Sequence, residues 1–147
     1  MGRIKFNGVL FLMVLQIFLV ATTTGDERFE LYIHLVDLDG RTFNARYDDF
    51  KISDEDNGYA LSLGKFNGTI EDAMRYSENM KFTTFDHDND EDDDNCADWF
   101  ESGWWYKACS DCYLNVPNRN LGWWDADNYI SLKEVKMIIR PKEEMKK

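Results

Sequence analysis

Residues 86–115 read DHDNDEDDDNCADWFESGWWYKACSDCYLN. The stretch opens with seven carboxylates in nine positions, Asp86 to Asp94. Calcium takes about six to eight hard oxygen ligands and suits clustered Asp side chains with backbone carbonyls, so a calcium loop is the first reading. A solvated acidic loop is the plain alternative, since most charge runs are just that. Asp86, Asp88 and Asp90 fit positions 1, 3 and 5 of an EF-hand loop. Glu91, however, stands where that turn needs glycine, and Ala97 where it needs a bidentate glutamate. No helix signature flanks the loop, and the EF-hand template fails.

The same stretch holds all three cysteines, Cys96, Cys109 and Cys112. In an oxidising compartment they read as one disulfide and one spare thiol. The spacing from Cys109 to Cys112 also fits a redox or zinc motif, but zinc wants a fourth ligand, and His34 and His87 are far from finger spacing. Trp104, Trp105 and Tyr106, with Trp123 and Trp124 downstream, admit two readings, as core or as the wall of a binding pocket.

Upstream, Phe29, Leu31, Ile33 and Leu35 alternate with Glu30, Tyr32 and His34, the period of a half-buried strand. Asp39-Gly40 turns the chain, and Phe43, Ala45 and Tyr47 continue the alternation, which predicts a β-hairpin. Asn57-Gly58 is a second turn, followed by a strand with Tyr59, Leu61 and Leu63 on one face. Thr69 and Asp72 resemble a capping box opening a short helix over Ile70 to Tyr76, and Phe82 and Phe85 frame a further short strand. Downstream, Leu132 to Arg140 reads as the last strand, stopped by Pro141 and followed by a charged tail, 142–147, expected to fray.

At the start, Arg3 and Lys5 precede an apolar run from Val9 to Val20, then the small or polar Ala21-Thr22-Thr23-Thr24-Gly25. That order predicts a cleaved secretory signal over 1–25, the run being short for a membrane span of about 20 residues. The chain has 147 residues, with 17 Lys+Arg against 28 Asp+Glu, a formal −11, and loss of Arg3 and Lys5 takes it to −13. Such a surface is a poor partner for nucleic acid. His34 lies in a strand pattern and His87 in the acidic loop, with no Ser-His-Asp or Cys-His arrangement around them, so no enzyme is expected. Asn67-Gly68-Thr69 is an N-glycosylation sequon, whose plain alternative is that Asn67 serves a turn.

Asn95-Cys96-Ala97, Gly103-Trp104-Trp105-Tyr106, Cys109 and Leu114-Asn115 together resemble the C-terminal half of the fibrinogen C-terminal (fibrinogen-related) domain, whose lectin members include ficolins and tachylectins. Tyr59, Leu61, Leu63-Gly64, Phe66, Gly68-Thr69, Asp72-Ala73 and Met80 to Thr84 follow the family's order upstream. Tyr129, Ser131-Leu132-Lys133, Met137 and Ile139-Arg140-Pro141 look like its terminal strand, so the likeness runs from Glu30 to Pro141. It implies an α+β fold with a twisted antiparallel sheet, short helices and a loop-rich calcium and disulfide region. It also implies a partial domain over 26–141, because the family's smaller disulfide-bonded subdomain and the helix and strand after it have no counterpart here. A truncated paralogue that folds alone, a chain that needs a partner and an incompletely read gene all fit that pattern.

The resemblance places calcium on Asp88 and Asp90 and on the main-chain carbonyls of Asp92 and Asp94. It pairs Cys96 with Cys109 and leaves Cys112 as the odd thiol, open to burial, to reactivity or to a disulfide-linked dimer. It places a shallow acetyl-binding pocket at Trp105, Tyr106, Ala108, Ser110 and Trp124. Two departures bear on that pocket: Ser110 stands where ligand-binding members often carry His, and the chain from Asn115 to Trp123 is shorter than usual. The expected function is non-catalytic, calcium-stabilised recognition of acetylated glycans by a secreted innate-immune lectin. The alternative is an extracellular protein-interaction module in matrix, coagulation or receptor binding, without sugar binding.

Overall fold

The computed structural model describes residues 28–117 and 120–142, so the expected signal over 1–25 and the tail beyond Lys142 lie outside the described residues. Strands β1 (Phe29–Asp37) and β2 (Thr42–Ile52) form the predicted antiparallel hairpin. Its turn is wider than a two-residue Asp-Gly loop. Asp37 closes it, accepting the Arg41 amide at 2.8 Å and the Arg41 Nε at 2.6 Å, while Gly40 takes a φ of +87°.

The remaining strands are β3 (Leu61–Ser62), β4 (Phe66–Gly68), β5 (Cys112–Tyr113), β6 (Gly122–Asp125) and β7 (Asn128–Pro141). They make one seven-stranded sheet in the order β3-β2-β1-β7-β6-β5, with β4 also on β2. β1 is central because its alternating apolar residues find partners on both sides: Ile33 sits opposite Ala45 of β2 and Met137 of β7. Leu31, Ile33 and Leu35 are at most 1% exposed, each contributing about 1.5–3 kcal/mol of burial. A register shift between Phe29 and Leu31 gives β2 an extra residue, which explains why its buried positions move from Ala45 and Tyr47 to Phe50 and Ile52.

The core lies between this face of the sheet, which contributes Trp123 of β6, and the stretch quoted first, which contributes Trp104 and Trp105; all three are buried. Helices are few. The segment read as a capped helix over Ile70–Tyr76 is a 3-10 helix, Ala73–Ser77, and the capping box does not form. The Thr69 hydroxyl instead accepts the Asn44 amide at 3.0 Å, tying the segment to β2. Asp72 is drawn to Tyr47 Oη and to Arg75 Nε, so its carboxylate leaves the helix amides unserved.

The strand expected between Phe82 and Phe85 is reduced to isolated bridges, Thr83 with Trp104 and Thr84 with His87. A four-residue helix, α1 (Cys96–Trp99), follows the acidic loop, although no helix signature was visible there; the Asn95 side chain caps it by accepting the Ala97 amide at 2.8 Å. Lys142, placed by sequence in the fraying tail, donates its amide to Arg28 at 2.7 Å.

On the outer face of the sheet, Glu30 is 5% exposed and is held by Arg46 of β2 and Arg140 of β7. Burial opposes its ionisation, but the two guanidiniums outweigh it and hold the carboxyl below the usual glutamate value.

Candidate functional site

The acidic loop is fastened at both ends. Asn89 donates its side-chain amide to the Phe82 carbonyl at 2.8 Å and its backbone amide to Thr83 Oγ1 at 3.1 Å. Asn95 donates to the Thr84 carbonyl at 3.1 Å, and the Glu91 amide to the Lys107 carbonyl at 2.8 Å. Between these anchors each second carboxylate accepts the amide two residues on: Asp88 from Asp90, Asp90 from Asp92, Asp92 from Asp94. The second oxygen of Asp90 takes the Cys96 amide at 3.1 Å. Burial pushes the Asp90 carboxyl above the usual aspartate value and nearby Asp88 adds to this, against the pull of the two amides.

A divalent cation would offset the crowding of negative charge there, and the donor set fits one. Asp88 and Asp90 offer carboxylate oxygens, and among the described residues the carbonyls of Asp92 and Asp94 accept no hydrogen bond. All four are hard oxygen donors, the kind calcium takes. The Asp92 carboxylate itself lies within 4.8 Å of the sulfurs of Cys96 and Cys109. Those sulfurs are already bonded to each other and too soft for such a cation, so these three do not make a metal centre.

Cys96 and Cys109 form the disulfide, with a Cα separation of 5.7 Å. The Ala108–Cys109 peptide is cis. Cys112 is fully buried, 0% exposed, beside the Ser110 hydroxyl, and burial pushes its thiol well above the ordinary range. Of the fates open to Cys112, the structure shows burial; a disulfide-linked dimer through it would require β5 and β6, which pair at this residue, to open.

The structure also revises the acetyl pocket. Trp105 and Tyr106 are each 1% exposed and Ser110 is buried. Trp105 Nε1 donates to the Tyr59 carbonyl at 2.8 Å, and the Ser110 hydroxyl to the Cys112 carbonyl at 2.9 Å. These side chains are part of the core, and their polar groups are engaged within the chain. Ala108 and Trp124 are at the surface but on different segments, the first in the disulfide loop and the second on β6.

Trp124, expected in the pocket, lies instead at one end of a row of rings whose other members the sequence does not single out as a site. Phe100, Tyr113, Tyr129 and Trp124 form a continuous aromatic ridge, with successive ring centroids 4.6, 6.4 and 5.2 Å apart. Tyr129 lies across Gly122, where a Cβ would overlap its phenol. At the Phe100 end, Trp99, Phe100, Glu101, Val116, Pro117 and Asn120 surround an open cavity of about 110 Å³. The signal in the sequence was the Asp125-Ala126-Asp127-Asn128 turn cluster, which makes β6 and β7 a hairpin and sets Trp124 opposite Tyr129. Asn67 is exposed on β4, where a glycan could be attached. His34 is on β1 and His87 in the acidic loop, on separate elements.

Comparison with known proteins agrees with this geometry. Residues 15–142 match the family described as fibrinogen beta and gamma chains, C-terminal globular domain; the match begins within the stretch read as a signal. Fibrinogen-like protein 1 of Bos taurus is 34% identical over 149 aligned residues, covering 83% of this chain and 46% of that protein. The fibrinogen-like globe domain of human ANGPTL2 superposes with a TM-score of 0.77 at 31% identity, covering 85% of this chain and 63% of that one. Lamprey fibrin D-dimer, complexed with the peptide ligand Gly-His-Arg-Pro-amide, gives 0.72 at 25%, covering 84% and 48%. The chain thus spans about half the length of the curated relative it matches. These families are non-enzymatic binding modules, in line with the expectation of no enzyme. Sheet order, disulfide and family match converge, and the chain belongs to the fibrinogen C-terminal globular domain family.

Proposed function

We propose that this chain is an extracellular, non-catalytic recognition module that binds a protein or peptide, with its acidic loop held by calcium. The observation that carries the reading is the exchange of roles among the aromatics. Trp105 and Tyr106, two of the residues expected to receive an acetyl group, are buried, while Trp124, a third, joins exposed Tyr129 and half-buried Tyr113 and Phe100 in a ridge. A broad ridge of amphipathic rings suits a protein surface, since aromatic anchors supply contact area at low entropic cost. An acetylated sugar instead needs a concave apolar wall with convergent polar groups. The peptide-bound lamprey relative supports the same class of ligand. No helix of the described residues is long and apolar enough to cross a membrane.

Calcium would supply charge neutralisation for the loop, offsetting the crowding of its carboxylates and fixing the chain that leads into α1. The test is binding of labelled chain to cell surfaces. Protein recognition predicts binding that free N-acetylglucosamine leaves intact and that prior trypsin treatment of the cells removes. Binding competed by N-acetylglucosamine and indifferent to trypsin would return the lectin reading to first place.

A further inference from the structure

Over most of its length β7 is paired on one side only. β1 covers residues 132–141, whereas β6 reaches only 128–131 on the other side. Beyond that point Leu132 still gives its amide to the Leu121 carbonyl, but among the described residues nothing pairs with 133–141 on the side away from β1. The direction of the free groups follows from Lys142, whose amide points to Arg28 before β1. Alternation along the strand then turns the peptide groups of Val135, Met137 and Ile139 to the open edge. Pro141 falls on the same side, where its missing N–H leaves the β1 ladder whole.

The side chains of that row lie on the core face, opposite Leu35, Ile33 and Leu31, yet all three are only partly buried. An edge of this length, with apolar residues half covered, is a template for another strand.

We propose that this edge takes β7 of a second copy of this chain, antiparallel and two-fold about Met137. Two independent features select that register. The open window, 133–141, has Met137 at its centre, bounded at one end by Leu121 and at the other by Pro141. Charge selects the same centre. Pairing Met137 with Met137 sets Glu134 opposite Arg140 twice, Val135 opposite Ile139 twice, and Lys136 opposite Ile138.

Opposite charges across a strand pair attract, and like charges directly opposite are destabilising. Moving the centre to residue 136 sets Lys136 against itself, and moving it to 138 sets Lys136 against Arg140. Within the chain Glu134 pairs with Lys136 and Arg140 with Glu30, but both keep enough exposure, at 47% and 57% of their side chains, to meet a partner as well. The centred register also turns the peptide groups of 135, 137 and 139 toward those of 139, 137 and 135, as an antiparallel ladder needs. The joined sheet carries the apolar row across the axis, each copy covering the other's.

Sedimentation of the secreted full chain over a concentration series tests this. The expected result is twice the mass of one chain at the upper end, falling to one chain for Met137→Glu, which sets two carboxylates face to face on the axis. Circular dichroism of that variant should match the parent, because the substitution leaves the β1 ladder intact. Met137→Cys should give a covalent dimer on a non-reducing gel. Lys136→Cys should not, since its two copies are offset along the strands, each opposite residue 138, beyond the reach of a disulfide. A chain monomeric throughout, a dimer that Met137→Glu leaves intact, or equal cross-linking at the two positions would each overturn the proposal. So would a monomer whose mass shows residues 1–27 retained and whose edge amides are protected, because its own leading segment would then cover the edge.

Discussion

Glu30 binds three strands through one carboxylate, accepting from Arg46 on β2 and Arg140 on β7 while itself on β1. Glu30→Gln keeps the shape but removes the charge, leaving both guanidiniums without a counter-ion; a loss of about 2 kcal/mol in denaturant unfolding is expected. The same site gives a pH sign. Glu30, Asp37 and Asp48 are all held below their ordinary values of 4.5, 3.8 and 3.8, in each case because Arg or Lys donors outweigh the cost of burial or add to backbone hydrogen bonds. A carboxyl depressed by folding stabilises the fold fully above its ordinary value and loses that contribution as pH falls through the folded one. Glu134 is lowered as well, by Lys136, whereas Asp90 and Asp111, raised by burial, work the other way, their cost being relieved on acidification. With four against two, the thermal midpoint should fall on acidification below about pH 4.5, and the Glu30→Gln variant should show a shallower fall.

The acidic loop, the disulfide and α1 act as one element, because Asp90 accepts the amide of Cys96 at the start of α1 and Cys96 is bonded to Cys109. Asp88→Asn with Asp90→Asn should abolish a calcium-dependent rise in melting temperature while leaving the chelated protein as stable or slightly more so, since like charges have been removed. Replacing Cys96 and Cys109 together by Ser should cost about 3 kcal/mol on the chain-entropy estimate and should blunt the calcium response as well, which separates it from a generic loss of stability. At the hairpin, Gly40 holds φ +87°, so Gly40→Ala should cost about 1 kcal/mol and leave calcium binding unchanged by calorimetry.

Across the molecule, what could be read in the sequence was what repeats or what carries a specific spacing. The β1–β2 hairpin was legible because one face is apolar at every second residue and Asp39-Gly40 marks the reversal. The disulfide was legible from the family's spacing around Cys96 and Cys109. The helix over Ile70–Tyr76 was misread because Thr69 and Asp72 have the chemistry of a cap, and nothing local reveals that Asn44 and Tyr47 claim them first. β6 escaped because Trp123 and Trp124 are both large and aromatic; only tertiary structure decides that the first is buried and the second exposed. The same ambiguity displaced the candidate site from Trp105 and Tyr106 to the ridge. A two-copy assembly through β7 would present two such ridges, so that a repeated ligand would be held with an avidity exceeding either site alone.

The one-sided pairing of β7 has a consequence for solvent hydrogen. Amides at 134, 136, 138 and 140 point into the β1 ladder, whereas those at 135, 137 and 139 face outward. In an isolated chain a single strand would therefore alternate residue by residue between slow and fast deuterium uptake, a pattern that the central strand β1, bonded on both sides, would not display.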